Sequence, residues 1–377
     1  MKKIKLDIVG IGNMGSGHAS NIKHGKMNEQ TKSFTKQMET FIDSYYETNG
    51  NSGVLRVTVK GKVLYERFIG FADRETQTPF THDSVFTFYS LSKPFLAIGI
   101  MKLRDDGLID LDSHPSRYVP EAKGFNSKVT IRNMLHHTSG LPDFVKTAKF
   151  DKKYDSGLPR QLREQLKELI QYSNLFEPET NVEYANINMI ICALAIENIT
   201  GLSYSEYMKE NVFKPLGMHN AYVDNKDLDI EHRVKGYEFV DNQIVPVESC
   251  LNWMHGAGDI IGTVDDVYCL NLAIKHKKLL KPETWDEILT TPPICTFGMG
   301  CRIDSWHGKK RIIHNGGYIG FRTLHIQLPE DDFDIIFLSN SGWGDARNDI
   351  SEEIFRNYYG KSEYPLQKTD MDAGYIN

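Results

Sequence analysis

Ser90-Leu91-Ser92-Lys93 lies where a short aromatic stretch (Phe86, Phe88, Tyr89) meets an apolar run that continues through Met101 and Leu103. The run reads as a helix. Residues three apart on a helix share a face, so the Ser90 hydroxyl and the Lys93 amine can meet, whereas Ser92, adjacent to Lys93, points elsewhere. A serine hydroxyl attacks poorly until a neighbour takes its proton. A neutral lysine can do so once burial or nearby positive charge lowers its pKa. An ordinary lysine pKa near 10.4 is about 3.4 units from pH 7, a cost of about 4.6 kcal/mol that the site must largely remove. Pro94 fits the first helical turn, where the NH groups have no internal partner, and the helix start favours negative charge developing at Ser90. Ser90 is the candidate nucleophile.

Two further sets lie far downstream, Tyr184-Ala185-Asn186 and His314-Asn315-Gly316. Their order and wide spacing, taken with the first set, are similar to the SxxK, YxN and K/HxG motifs of the serine beta-lactamase and penicillin-binding protein superfamily. The chain resembles its class C branch. Met134-Leu135-His136-His137-Thr138-Ser139-Gly140-Leu141-Pro142 looks like that branch's LLxHTSGLP segment, and Gly256-Ala257-Gly258 with Thr263 and Asp266 resembles its later glycine-rich turn and helix start. Phe297-Gly298-Met299-Gly300 and Leu338-Ser339-Asn340 fit as well, and the resemblance runs from about residue 29 to about residue 359.

The resemblance implies an α+β, beta-lactamase/transpeptidase-like fold: an antiparallel sheet flanked by helices, an all-helical subdomain, and an active site in the cleft between the two parts. It implies that Tyr184 joins Lys93 in accepting and returning the nucleophile's proton, a task assigned here to the pair because the two groups titrate together. Asn186 would hydrogen-bond the lysine and the acyl group, and the NH groups of Ser90 and Gly317 would form the oxyanion hole. Gly316 and Gly317 permit close backbone approach at the strand edge. Histidine at position 314 departs from the lysine of the best-known members. With an ordinary pKa near 6.5 it is mostly neutral at pH 7, which weakens recognition of a substrate carboxylate. Such a histidine resembles the esterase and D-aminopeptidase members. The expected activity is hydrolysis of a small-molecule ester, amide or D-amino acid peptide through an acyl-enzyme on Ser90. A binding or sensor module that acylates without efficient turnover is the alternative.

Composition agrees with an enzyme of this size. The 377 residues are 40% hydrophobic and 25% charged, with net charge -6, so a large core can form and no broad basic surface invites nucleic acid. Cys192, Cys250, Cys269, Cys295 and Cys301 make no CxxC pair and read as reduced thiols. No HExxH occurs among thirteen histidines, so neither a metal nor another cofactor is expected. There is no transmembrane run. Lys2, Lys3 and Lys5 resemble a charged leader, but Asp7 and the following glycines interrupt any signal-like apolar region, and the expected location is cytoplasmic, without a membrane partner.

Residues 1–26 read differently. Lys5 to Val9 followed by Gly10-Ile11-Gly12-Asn13-Met14-Gly15 resembles the start of a nicotinamide-dependent oxidoreductase. Dinucleotide binding needs a second strand with an acidic residue, yet Phe34, Met38, Phe41 and Ile42 recur at helical spacing in the next segment. The stretch is therefore expected to be a truncated Rossmann-like leader, with an NAD-dependent oxidoreductase as the lesser alternative.

The positioning elements follow. A helix over 30–46 and a hairpin of 53–60 and 62–71 open the main domain, 27–359, and strands at 310–315, 320–328 and 333–340 with a helix at about 345–358 close it. Between them the SxxK helix ends near Asp106-Gly107, and 160–172 and 189–199 are further helices. The expected division is an α/β part, 27–89 and 280–359, a helical part, 90–279, and a tail, 360–377.

Overall fold

A computed structural model describes residues 29–143, 166–167, 170–225, 228–248 and 254–360. The leader at 1–26, all but the first residue of the tail at 360–377, Cys250 and most of the helix expected over 160–172 lie outside the described residues. Helix α1 (Glu29–Asn49) precedes strands β1 (Gly53–Val59) and β2 (Lys62–Ile69). Near the other end lie β3 (Arg302–Trp306), β4 (Lys309–Tyr318), β5 (Phe321–Leu328) and β6 (Phe333–Ser339). They form one six-stranded antiparallel sheet in the order β3-β4-β5-β6-β1-β2. Pairing of β1 with β6, from Gly53 opposite Ser339 to Val59 opposite Phe333, joins the two ends of the domain. The expected hairpin is present. Lys60 and Gly61 both take positive φ, 51° and 71°, which suits the right-handed twist of the strands they connect.

Side chains alternate across this sheet, and each face has its own core. Leu55, Val57, Ile335 and Phe337 pack with Phe34, Met38 and Ile42 of α1 and with Ile350, Ile354 and Phe355 of the C-terminal helix Ala346–Tyr359. Val54, Ile336 and Leu338 face the larger core, which contains two central helices. These are α2 (Lys93–Asp105), buried continuously from Lys93 to Met101, and α3 (Asn186–Thr200), buried from Asn186 to Ile196. A helix apolar on all sides must lie inside. Gly99 lets α2 approach its neighbours, since an added Cβ would sit 3.1 Å from Met208 Sδ, and its carbonyl accepts a hydrogen bond from Tyr207.

The segment 90–279 departs from an all-helical reading. It contributes strands Tyr222–Val223, Gly236–Val240, Gln243–Val247 and Ile260–Gly262, and Ile260–Gly262 pairs with Phe86–Thr87 just ahead of Ser90. Pieces this short carry too few residues for alternation to register, and tertiary pairing decides them. β3 escaped the sequence reading for the same reason. The four described cysteines, Cys192, Cys269, Cys295 and Cys301, are free thiols. No single helix among the described residues is long and apolar enough to cross a membrane.

Asp334 of β6 is buried between Thr58 and Gln327 in the sheet register. Burial, then repulsion from Asp332, pushes its carboxyl up to about 8. The unfolded chain ionises this group above about pH 4, so folding must take up a proton, and its penalty grows as pH rises from about 4 to 8 and is constant beyond. Asp334→Asn should therefore stabilise the protein by roughly 2–4 kcal/mol at pH 8, the gain shrinking towards pH 5. Urea unfolding of both proteins at the two pH values measures it, and a pH-independent difference would contradict the assignment.

Candidate active site

Ser90 sits in a 3-10 turn, Tyr89–Ser92, and Lys93 is the first residue of α2. Sequence spacing anticipated the pairing, but the local geometry is tighter than an α-helix. Side chains three apart eclipse one another in a 3-10 turn, and the Lys93 amine lies 3.0 Å from Ser90 Oγ. Ser92 points away, accepting the backbone NH of Ile260 at 3.0 Å. Tyr89, with φ of 49°, turns the chain sharply here. Pro94 occupies the first turn of the helix, as its missing NH allows.

Tyr184 precedes α3, and its hydroxyl donates to Ser90 Oγ at 2.8 Å. Lys93 Nζ also lies 4.7 Å from the centre of the Tyr184 ring. Asn186, the first residue of α3, accepts from Lys93 Nζ through Oδ1 at 2.9 Å and donates through Nδ2 to Asp143 Oδ2 at 3.0 Å. The third partner of the amine is the carbonyl of Ala257, 2.7 Å away. Lys93 is wholly buried, while Ser90 retains 8% exposure. Desolvation lowers the Lys93 pKa to about 7, against the pull of Asp143 and Asp259 in the opposite direction. The lysine is thus close to half neutral at physiological pH, the condition set by the sequence argument.

The loop that presents Ala257 has its own anchor. Asp259 accepts from the NH of Gly256 at 2.9 Å and approaches His255 at 3.3 Å, and Glu197 lies 3.3 Å from the other nitrogen of that histidine. The two carboxylates outweigh desolvation and raise His255 to about 9. Gly256 takes φ of 72°, a conformation that favours glycine.

β4 carries the third set. Gly316 packs against the Ser90 turn: a Cβ there would lie 2.0 Å from the carbonyl oxygen of Phe88, so only glycine fits. Thr323, opposite Gly316 on β5, donates to the same carbonyl at 2.9 Å. His314 is buried and its Nδ1 lies 2.7 Å from the carbonyl of Asn315, so the ring donates there. Burial, reinforced by Lys93, lowers its pKa to about 3, so the imidazole is neutral. Gly317 lies opposite Arg322, and Arg347 Nη1 donates to the carbonyl of Gly316 at 2.9 Å.

The structure thus brings Ser90, Lys93, Tyr184 and Asn186 into one hydrogen-bonded cluster and sets the Gly316 strand against the Ser90 turn. Sequence reasoning did not single out the Ala257 carbonyl, Asp143, His137 or Arg347 as functional. His137 and Ala257 lay inside quoted motifs, but no pattern distinguishes a structural from a functional member there. Among the described residues no group of three or more His, Cys, Asp or Glu side chains is placed to hold a metal ion.

Comparison with known proteins bears on the family and the fold. The beta-lactamase family profile matches residues 36–354. Over 327 residues the chain is 28% identical to penicillin-binding protein 4* of Bacillus subtilis strain 168, covering 81% of this chain and 71% of that one. It is 24% identical over 361 residues to a D-aminopeptidase of Brucella anthropi, covering 91% and 66% respectively. Its fold matches EstCE1, described as a hydrolase with promiscuous acyltransferase activity, at a TM-score of 0.73 and 20% identity, covering 88% of this chain and 99% of that one. The chain belongs to the beta-lactamase family and is one of its serine hydrolases.

Proposed function

We propose that the protein hydrolyses small esters or amides that lack a carboxylate next to the scissile bond, through an acyl-enzyme on Ser90. The observation that carries this reading is the set of partners around Lys93 Nζ: Asn186 Oδ1, Ala257 O and Ser90 Oγ. A neutral amine has two hydrogens and one lone pair. With the two hydrogens on Asn186 and Ala257, the lone pair is left facing the Ser90 hydroxyl. Tyr184, on the same oxygen, completes the path by which the proton reaches the leaving group.

In the proposed sequence the substrate carbonyl oxygen rests on the NH groups of Ser90 and Gly317. Ser90 Oγ bonds to the carbonyl carbon while its proton passes to the Lys93/Tyr184 pair. The bond to the leaving group breaks as that group takes the proton. Water, deprotonated by the same pair, then cleaves the ester on Ser90. Neutral His314 supplies no fixed cation for a substrate carboxylate, which favours simple esters and amides over beta-lactams. The penicillin-binding name of the relative at 28% identity supports a second reading, acylation without turnover.

A fluorophosphonate probe should label Ser90 stoichiometrically, and Ser90→Ala should abolish labelling while changing stability by only ~1 kcal/mol. Persistent labelling of the variant at another serine would sink the assignment. Sustained release of p-nitrophenol from p-nitrophenyl acetate marks an enzyme, and one equivalent followed by no steady rate marks the acylating module. The labelling rate should also rise with pH through about 7, because the pKa of Lys93, lowered to about 7 by burial, sets the fraction of neutral amine. Below that value the rate should fall about tenfold per pH unit, and a rate flat between pH 5.5 and 8 would contradict lysine as part of the base.

A further inference from the structure

His137 takes no part in the chemistry above, yet it holds the residue on each side of Tyr184. Its carbonyl accepts the NH of Glu183 at 3.0 Å, and its ring Nδ1 accepts the NH of Ala185 at 3.2 Å. Between these two anchors the imidazole stacks on the Tyr184 ring, with centroids 4.5 Å apart and planes 30° apart. Phe297 closes the cluster edge-on to His137 at 5.1 Å. One residue therefore fixes the main chain before and after Tyr184 and the plane of its phenol.

The tautomer follows from the partners. Asn188 Nδ2 lies 3.4 Å from the same Nδ1, and Asn188 Oδ1 is committed to the Ser139 hydroxyl at 2.8 Å. Both groups facing Nδ1 are donors, so this nitrogen carries a lone pair and the proton sits on Nε2. A protonated ring would present an N–H to two other N–H groups. Complete burial, and after it the nearby Lys93, opposes that charge. The ring is positioned by its own backbone as well: φ of 59° turns the chain directly after the helix Ile131–Leu135 and carries the side chain inward.

We propose that His137 is a positioning residue, a neutral clamp that holds the Tyr184 hydroxyl on Ser90 Oγ. This rests on the serine hydrolase reading given above. In this role it acts through Tyr184, so that contribution must disappear when the Tyr184 hydroxyl is removed.

The test is a double-mutant cycle read as the rate at which a fluorophosphonate labels Ser90, followed by intact mass. His137→Ala removes both the acceptor and the stacked ring and should slow labelling about 100-fold, within the range of general-base assistance. His137→Asn should be only about tenfold slower, because its amide oxygen can replace Nδ1 and asparagine tolerates positive φ. In a Tyr184→Phe background both changes should cost less than about threefold, since coupled residues fail to add. Equal losses in the two backgrounds would show a merely structural role, and an unaltered rate in the wild-type background would overturn the clamp outright. Should the alanine variant fail to fold, the asparagine variant completes the same cycle. Failure of the hydrolase reading shows itself separately, as labelling that survives Ser90→Ala.

Discussion

The removal of Lys93 from water is the constraint on which the site depends. An ammonium group stripped of solvent loses its preference for the charged form, and three oxygens replace the water it gives up. Those oxygens come from three separate places: the 3-10 turn at Ser90, the first residue of α3, and the loop at Ala257. No local segment could supply them. The pKa near 7 is a balance between burial, which lowers it, and Asp143 and Asp259, which raise it. Asp143 is held by Asn186, and Asp259 is held by the NH of Gly256 and paired with His255, whose charge offsets part of its pull on the lysine.

The sheet exists at this point to bring a strand from the end of the chain against a turn near its start. β1 pairs with β6, β6 with β5 and β5 with β4, so each strand's register is inherited by the next. A slip of one residue at any step would turn His314 and Thr323 to the opposite face. The Phe88 carbonyl checks the final position, because it accepts from Thr323 and leaves no room for a Cβ at Gly316. Packing and hydrogen bonding therefore fix the same registration independently.

How much of this was legible in the sequence depends on the range of the interaction. Ser90 and Lys93 are three residues apart, so their meeting is a local consequence of helical geometry, even though the turn proved to be 3-10. Tyr184, Asn186 and His314 were reached by resemblance, since nothing in spacing alone relates residues so far apart. The hairpin at Lys60-Gly61 and the long strands of the main sheet announced themselves through turn chemistry and alternation. The strand Arg302–Trp306 did not, because Arg302, Asp304 and Ser305 leave few apolar positions to mark it. His136 and His137 show the limit most clearly. Adjacent and chemically identical, they diverge because His137 takes a positive φ, leaving His136 on the carbonyl of Phe297 and His137 beneath Tyr184.

The charges around the nucleophile also bear on the kind of substrate proposed above. Lys93 is near neutrality, and burial keeps His314 and His137 uncharged. Two guanidinium groups lie near the Gly317 strand, but both are engaged. Arg347 binds Asp345 and the Gly316 carbonyl, and Arg322 donates to the carbonyls of Tyr318 and Phe321. They brace the β4–β5 turn, Arg322 through one guanidinium nitrogen and Arg347 through Asp345 and the Gly316 carbonyl. In the proposed mechanism, negative charge arising on the substrate is met by backbone NH dipoles, which are fixed by the fold and need no reorganisation as the reaction proceeds. In the proposed reading a substrate carboxylate would meet a neutral imidazole at position 314 in place of its hydration. In the same reading an uncharged ester or amide loses little hydration and still uses the same dipoles, so the proposed preference rests on the same burial that frees the Lys93 lone pair.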